Sequence, residues 1–119
     1  RNVNLKKTLW SIKKIESLVK LYSEKLKRKP LIGIFGLTFK EDIDDIRESP
    51  ALFITEKLIE KDFKVVVCEP HLKNYKDLDI LSHEEIIEMA DIIVLLVAHS
   101  CFRNLNIKNK EIIDLCGLN

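Results

Sequence analysis

The sequence predicts an α/β fold with a parallel sheet, preceded by a long N-terminal helix. Four short apolar runs, rich in β-branched residues, alternate with helix-start signals. Ahead of the first run lies an uninterrupted helical periodicity, with no Gly or Pro before Pro30. The 119 residues suffice for one domain with its own core. With 46% hydrophobic and 33% charged residues, the composition is that of a soluble globular protein.

In the first segment, residues 1–29, Leu5, Trp10, Ile12, Ile15, Leu18, Val19, Tyr22 and Leu26 recur mostly at three- and four-residue steps. Ten Lys/Arg stand against two acids here, a net charge of +8, whereas residues 30–119 carry −7. A basic amphipathic helix could bind an acidic membrane, a nucleic acid or a partner. We favour the plainer reading, a solvated lysine face over an apolar stripe that packs on another element. No aromatic interleaving or basic loop supports nucleic-acid recognition. The stripe implies a neighbour, such as a second subunit.

The run Leu31–Phe35 is the first strand. Ser49 then makes a natural N-cap with Pro50 at N1, and Ala51, Phe53, Ile54, Leu58 and Ile59 form a helix face as far as Lys61-Asp62. Lys64–Cys68 is the second strand, closed by Glu69-Pro70. Ser82 and Glu85 make a capping box that opens a helix through Met89-Ala90. Asp91–Ala98 is the third strand, apolar on both faces as a central parallel strand should be. Glu111–Leu115 is the fourth. The expected architecture is a Rossmann-like three-layer sandwich with a parallel sheet.

Between Phe35 and Ser49 the loop is too long and too charged for a mere connection. An independent dinucleotide site is not expected there. Gly33 and Gly36 do not make the three-glycine turn of G-x-G-x-x-G, and twelve residues separate Gly36 from Ser49. Glu69 ends the second strand, where an acid would hold a ribose, but it stands farther downstream than the usual ~20 residues. Lys40 and Arg47 are the loop's candidates for anion binding. Equally, they could only neutralise Asp42, Asp44, Asp45 and Glu48.

Cys68, Cys101 and Cys116 are three in number with no C-x-x-C pair, which fits a reducing cytoplasm and no zinc site. His71 and His83 lack metal-ligand spacing, so no metal is expected. Cys101 beside His99 could suggest a Cys–His nucleophile, but packing or capping is the stronger reading. Cys68 reads as core. No apolar stretch approaches the roughly 20 residues of a membrane span, and no signal peptide opens the chain. A chain beginning at Arg1 is read as a piece of a longer protein.

The segment GLTFKEDIDDIRESPA, residues 36–51, resembles the signature G-L-x-F-K-x-x-x-D-D-x-R-x-S-P-A of the UDP-glucose/GDP-mannose dehydrogenase family. That signature opens the family's C-terminal domain. V-x-E-P-H at Val67–His71, A-D-I-I-V-L-L-V at Ala90–Val97 and H-S-x-F at His99–Phe102 extend the resemblance over roughly residues 30 to 117. The E-P-H and H-S-x-F forms resemble most the UDP-N-acetylmannosamine dehydrogenase branch.

The resemblance implies an NAD-dependent oxidation of a nucleotide sugar at C6, through a cysteine thiohemiacetal, with two NAD molecules. It implies residues 1–29 as a linker or dimerisation helix and residues 30–119 as the UDP-sugar-binding domain of a full-length homodimer. Phe39 and Lys40 would contact the UDP-sugar, and Arg47 would reach towards the NAD. Asp44 and Asp45 would shape the loop. The NAD-binding domain, the central domain and the catalytic cysteine would lie outside this chain, leaving it inactive alone. The alternative is a non-catalytic Rossmann-like module that binds a nucleotide or a protein. One departure stands out: Cys116 occupies a place where many members of the family carry a basic residue.

Overall fold

The computed structural model of the chain describes residues 5–38, 49–76, 78–107 and 110–116. In chain order its elements are helix α1 (Leu5–Leu26), strand β1 (Leu31–Phe35), helix α2 (Pro50–Glu60), strand β2 (Lys64–Cys68), helix α3 (His83–Met89), strand β3 (Ile92–Leu95), a 3₁₀ turn (Ser100–Phe102) and strand β4 (Glu111–Asp114). The strands form one parallel sheet in the order β2-β1-β3-β4. This is the expected α/β, Rossmann-like arrangement.

Local chemistry sets the element ends. At the start of α2, Ser49 Oγ accepts from the Leu52 amide, and Pro50 follows at the first turn, where its missing N–H costs nothing. The capping box at α3 is complete, with Ser82 and Glu85 exchanging hydrogen bonds. The third strand is shorter than the sequence suggests. Asp91 keeps one backbone bond to β1, its amide donating to the Leu31 carbonyl at 2.9 Å. Its carboxylate turns to the Leu31 amide at 2.8 Å and to Arg28 Nη1 and Nη2 at 2.9 and 3.0 Å, while the paired register begins at Ile92. At the other end the amides of Leu96 and Val97 both converge on the Phe35 carbonyl, which closes the ladder at Leu95. The fourth strand likewise stops at Asp114, one residue short of the expected Leu115.

Alternate strand residues feed two apolar clusters, as a period of two requires. Ile32, Ile34, Val67, Ile92, Val94 and Ile113 meet Ile54 and Leu58 of α2 with Ile12, Ile15 and Val19 of α1. Phe35, Val66, Cys68, Ile93 and Leu95 meet Ile86 and Ala90 at α3 with Phe102. Thus α2 and α3, which connect β1 to β2 and β2 to β3, pack against different clusters.

The helix α1 behaves as the plainer reading expects, with its stripe on the sheet and its lysines outward. Trp10 is a correction: it is 56% exposed, as are Leu9 at 47% and Leu21 at 59%. Thr8 and Ser11 occupy the buried face in its place. Ser11 can sit there because its hydroxyl donates back to the Lys7 carbonyl at 3.0 Å.

Candidate functional site

In register, Phe35, Cys68, Leu95 and Asp114 end the four strands at one level. The residues that follow them therefore share the carboxyl edge of the sheet. From β1 the chain moves to β2 on one side, and from β2 it crosses to β3 on the other. The carboxyl end of β1 is thus the point where the strand order reverses, the usual location of ligand crevices in open parallel sheets.

A buried polar cluster is built at this point. The Leu37 amide donates to Glu69 Oε1 at 2.7 Å and the Thr38 amide to the same oxygen at 3.3 Å. The His71 amide donates to Glu69 Oε2 at 2.9 Å. The His99 ring places Nε2 at 3.0 Å from Glu69 Oε1 and 3.2 Å from Thr38 Oγ1. Leu37, Thr38 and His99 are wholly buried and Glu69 nearly so. Burial works against the Glu69 charge, but the hydrogen bonds from His99 and the amides of Leu37 and His71 outweigh it. The carboxyl is held below the ordinary glutamate range. Since a carboxylate can only accept, Nε2 of His99 carries the proton between them.

Opposite this cluster, Ser49 grips the same dipeptide. Its hydroxyl lies 2.7 Å from the Leu37 carbonyl and 3.1 Å from that of Thr38. Residues 38 and 49, which flank positions 39–48 in the sequence, are therefore held together. Phe39, Lys40 and Arg47, the candidate ligand residues, and Asp42, Asp44, Asp45 and Glu48 lie outside the described residues.

The geometry gives physical reasons for several readings of the sequence. Glu69 does not offer itself to a ribose, because its oxygens face the Leu37, Thr38 and His71 amides and the His99 ring. His99 directs Nε2 to Glu69, which removes that nitrogen from any Cys–His nucleophile with the exposed Cys101. Cys68 is core, and burial pushes its thiol up to about 12. His71 does not pair with His83; its ring packs edge-on against His99 at 4.7 Å. Among the described residues, Glu69, His71 and His99 have ligand atoms within 4.8 Å of one another. The donors already on Glu69 make this cluster a hydrogen-bonded one first.

Sequence reasoning matched the E-P-H and H-S-x-F motifs but did not join them. The available signal was their common position, directly after the carboxyl ends of two strands. A cleft of about 610 Å³ at the opposite edge of the sheet, between α1 and the residues preceding β1 and β2, has two ion pairs among its lining residues. Lys61 pairs with Glu16 at 3.0 Å and Lys29 with Asp62 at 2.8 Å.

The description "UDP-glucose/GDP-mannose dehydrogenase family, UDP binding domain" matches residues 33–118. The chain belongs to this family. Over 126 residues it is 34% identical to an NDP-N-acetyl-D-galactosaminuronic acid dehydrogenase of Ralstonia solanacearum, covering 99% of this chain and 29% of that protein. A UDP-N-acetyl-D-mannosamine dehydrogenase of Methanococcus aeolicus is 32% identical over 82% of this chain and 24% of its own length. Among solved structures, the UDP-N-acetyl-mannosamine dehydrogenase from S. aureus superposes with a TM-score of 0.81 at 29% identity, over 97% of this chain and 28% of that one. The chain thus spans under a third of these relatives, and over most of its length it is the UDP binding domain of a dehydrogenase family.

Family membership implies NAD, and the described residues do not form a dinucleotide cradle of their own. After β1 the Gly36 amide donates to the Cys68 carbonyl at 2.9 Å, and the next two amides donate to Glu69. Among the described residues of that connection, the amides of Gly36, Leu37 and Thr38 are all engaged within the fold rather than turned to a pyrophosphate, and α2 starts only at Pro50.

Proposed function

We propose that this chain binds the UDP-sugar in an NAD-dependent UDP-sugar 6-dehydrogenase, acting on UDP-N-acetyl-D-mannosamine. The observation that carries this is the paired grip at the carboxyl end of β1, where Glu69 holds the amides and Ser49 the carbonyls of Leu37-Thr38. It fastens both ends of the lysine- and arginine-bearing segment at the reversal of strand order. The family match to a UDP binding domain supports the choice of ligand.

In this reading Phe39 and Lys40 contact the UDP-sugar, Lys40 as a point charge on the diphosphate. Arg47 reaches towards the NAD, which another domain holds in the main. The catalytic cysteine also belongs to that missing part, so the chain alone forms no NADH from NAD and UDP-sugar. We read residues 1–29 as a linker or dimerisation helix of a cytoplasmic homodimer and residues 30–119 as a three-layer UDP-binding unit. The exposed Leu9, Trp10 and Leu21 on α1 support the assembly role of that helix. No helix of the described residues is long and apolar enough to cross a membrane.

Calorimetric titration tests the reading. UDP binds the 119-residue chain saturably, and Lys40→Ala weakens binding by about tenfold through loss of one charge-assisted contact. Unchanged affinity in that variant removes Lys40 from the site.

A further inference from the structure

We propose that Glu69 and His99 are positioning residues for nucleotide binding, acting through the Leu37-Thr38 dipeptide rather than on the ligand. This inference rests on the reading of the chain as a UDP-sugar-binding domain.

The dipeptide lies beyond the sheet ladder, which ends at Phe35. Past that point nothing in the ladder fixes its register, yet every backbone polar group it has is engaged. Both amides go to Glu69 and both carbonyls to Ser49, while His99 meets the Thr38 hydroxyl. The three gripping side chains come from three different places: the start of α2, the end of β2 and the residues after β3. Each is nearly or wholly buried.

Such an arrangement is an expensive way to hold a fold together. A buried carboxylate with its histidine is seldom better for stability than apolar side chains of the same volume, and its best-attested use is to specify a register. Here the register it specifies is that of Thr38, whose next neighbours in sequence are Phe39 and Lys40. A rotation or a one-residue slip at Thr38 would redirect both side chains. The His99 ring is the part that senses both sides, with one nitrogen placed between the Glu69 carboxylate and the Thr38 hydroxyl.

Two His99 substitutions separate positioning from simple packing. His99→Phe keeps a ring beside Phe102, whose centroid is 5.3 Å away, but has no N–H for Glu69 or Thr38. His99→Gln restores a donor for Glu69. The chain carrying His99→Phe, shown folded by circular dichroism, binds UDP about tenfold more weakly than the wild type. With His99→Gln the affinity returns to within about threefold. A role confined to packing would lower the melting temperature and leave the affinity of the folded protein alone. Folded His99→Phe binding UDP as the wild type does overturns the proposal. Amide resonances of residues 39 and 40 in the ligand-free chain give the second arm. They shift in His99→Phe and return in His99→Gln if the register is set here, and unmoved resonances overturn the proposal. Should the wild type bind no UDP, the substrate reading fails while these resonances still decide the positioning role.

Discussion

Replacing Glu69 by alanine lowers the stability of the chain by about 3–5 kcal/mol, because several buried donors lose their acceptor at once. The carboxylate is 2% exposed and accepts from the Leu37, Thr38 and His71 amides and the His99 ring. Alanine leaves these buried donors without an acceptor, and an unsatisfied buried donor costs about 1–3 kcal/mol. Urea denaturation followed by circular dichroism measures the loss. Glu69→Gln keeps the volume and one acceptor oxygen, so it loses less. The pH dependence carries the same information. In the folded chain the Glu69 pKa lies below its ordinary value, so its contribution is complete above that ordinary value. It disappears as the pH falls through the lowered one. The stability gap between wild type and Glu69→Ala is therefore constant near neutrality and narrows only in acid. A gap that widened in acid would contradict the assignment of an ionised Glu69.

Gly36→Ala is expected to cost about 3 kcal/mol, from backbone strain and overpacking together. Gly36 has φ +104°, a conformation that side-chain-bearing residues rarely adopt. A Cβ there would also lie 2.5 Å from Val97 Cβ and 2.9 Å from the Val97 backbone nitrogen, which cannot step aside. Gly33→Ala provides the comparison. Its φ is not positive, and its added Cβ would run into the buried Ile86 Cγ2 and crowd Ala90 Cβ at 3.2 Å and Ile93 Cδ1 at 3.3 Å. Both variants lose stability in thermal melting, Gly33→Ala through overlap alone and Gly36→Ala through overlap and backbone strain together. A Gly36→Ala chain as stable as the wild type would overturn this reading of Gly36.

The parts of this fold that were legible in the sequence are those decided within a few residues. Ser49-Pro50 and the Ser82–Glu85 box mark helix starts by hydrogen bonds that close over one turn. The run KVVVC becomes β2 with the bounds it suggests. What escaped is what depends on distant partners. Asp91 belongs to an apolar run in the sequence, and the partners of its carboxylate, the Leu31 amide and Arg28, stand some sixty positions earlier. Trp10 looked like a stripe residue because apolar side chains were counted. The buried face instead admits the small Thr8 and Ser11, the latter with its hydroxyl donating to the Lys7 carbonyl.

The site divides the same way. Glu69 and His99 were visible as members of motifs, but their meeting requires β1 to lie between β2 and β3, an order no local pattern reveals. Without that order, the sequence sets aside a ribose role for Glu69 and a Cys–His nucleophile at His99 but does not show what the two residues do instead. With it, both turn inward onto the chain beside the signature segment. The family resemblance named the segment; the parallel register explains why its two ends meet.

The central claim is that this unit recognises a uridine diphosphate, and a comparison of nucleotides tests it most directly. Titrated into the 119-residue chain under identical salt and pH, UDP binds saturably and GDP binds at least about tenfold more weakly, about 1.4 kcal/mol. Saturable binding of both with equal affinity, or of neither, would contradict the account.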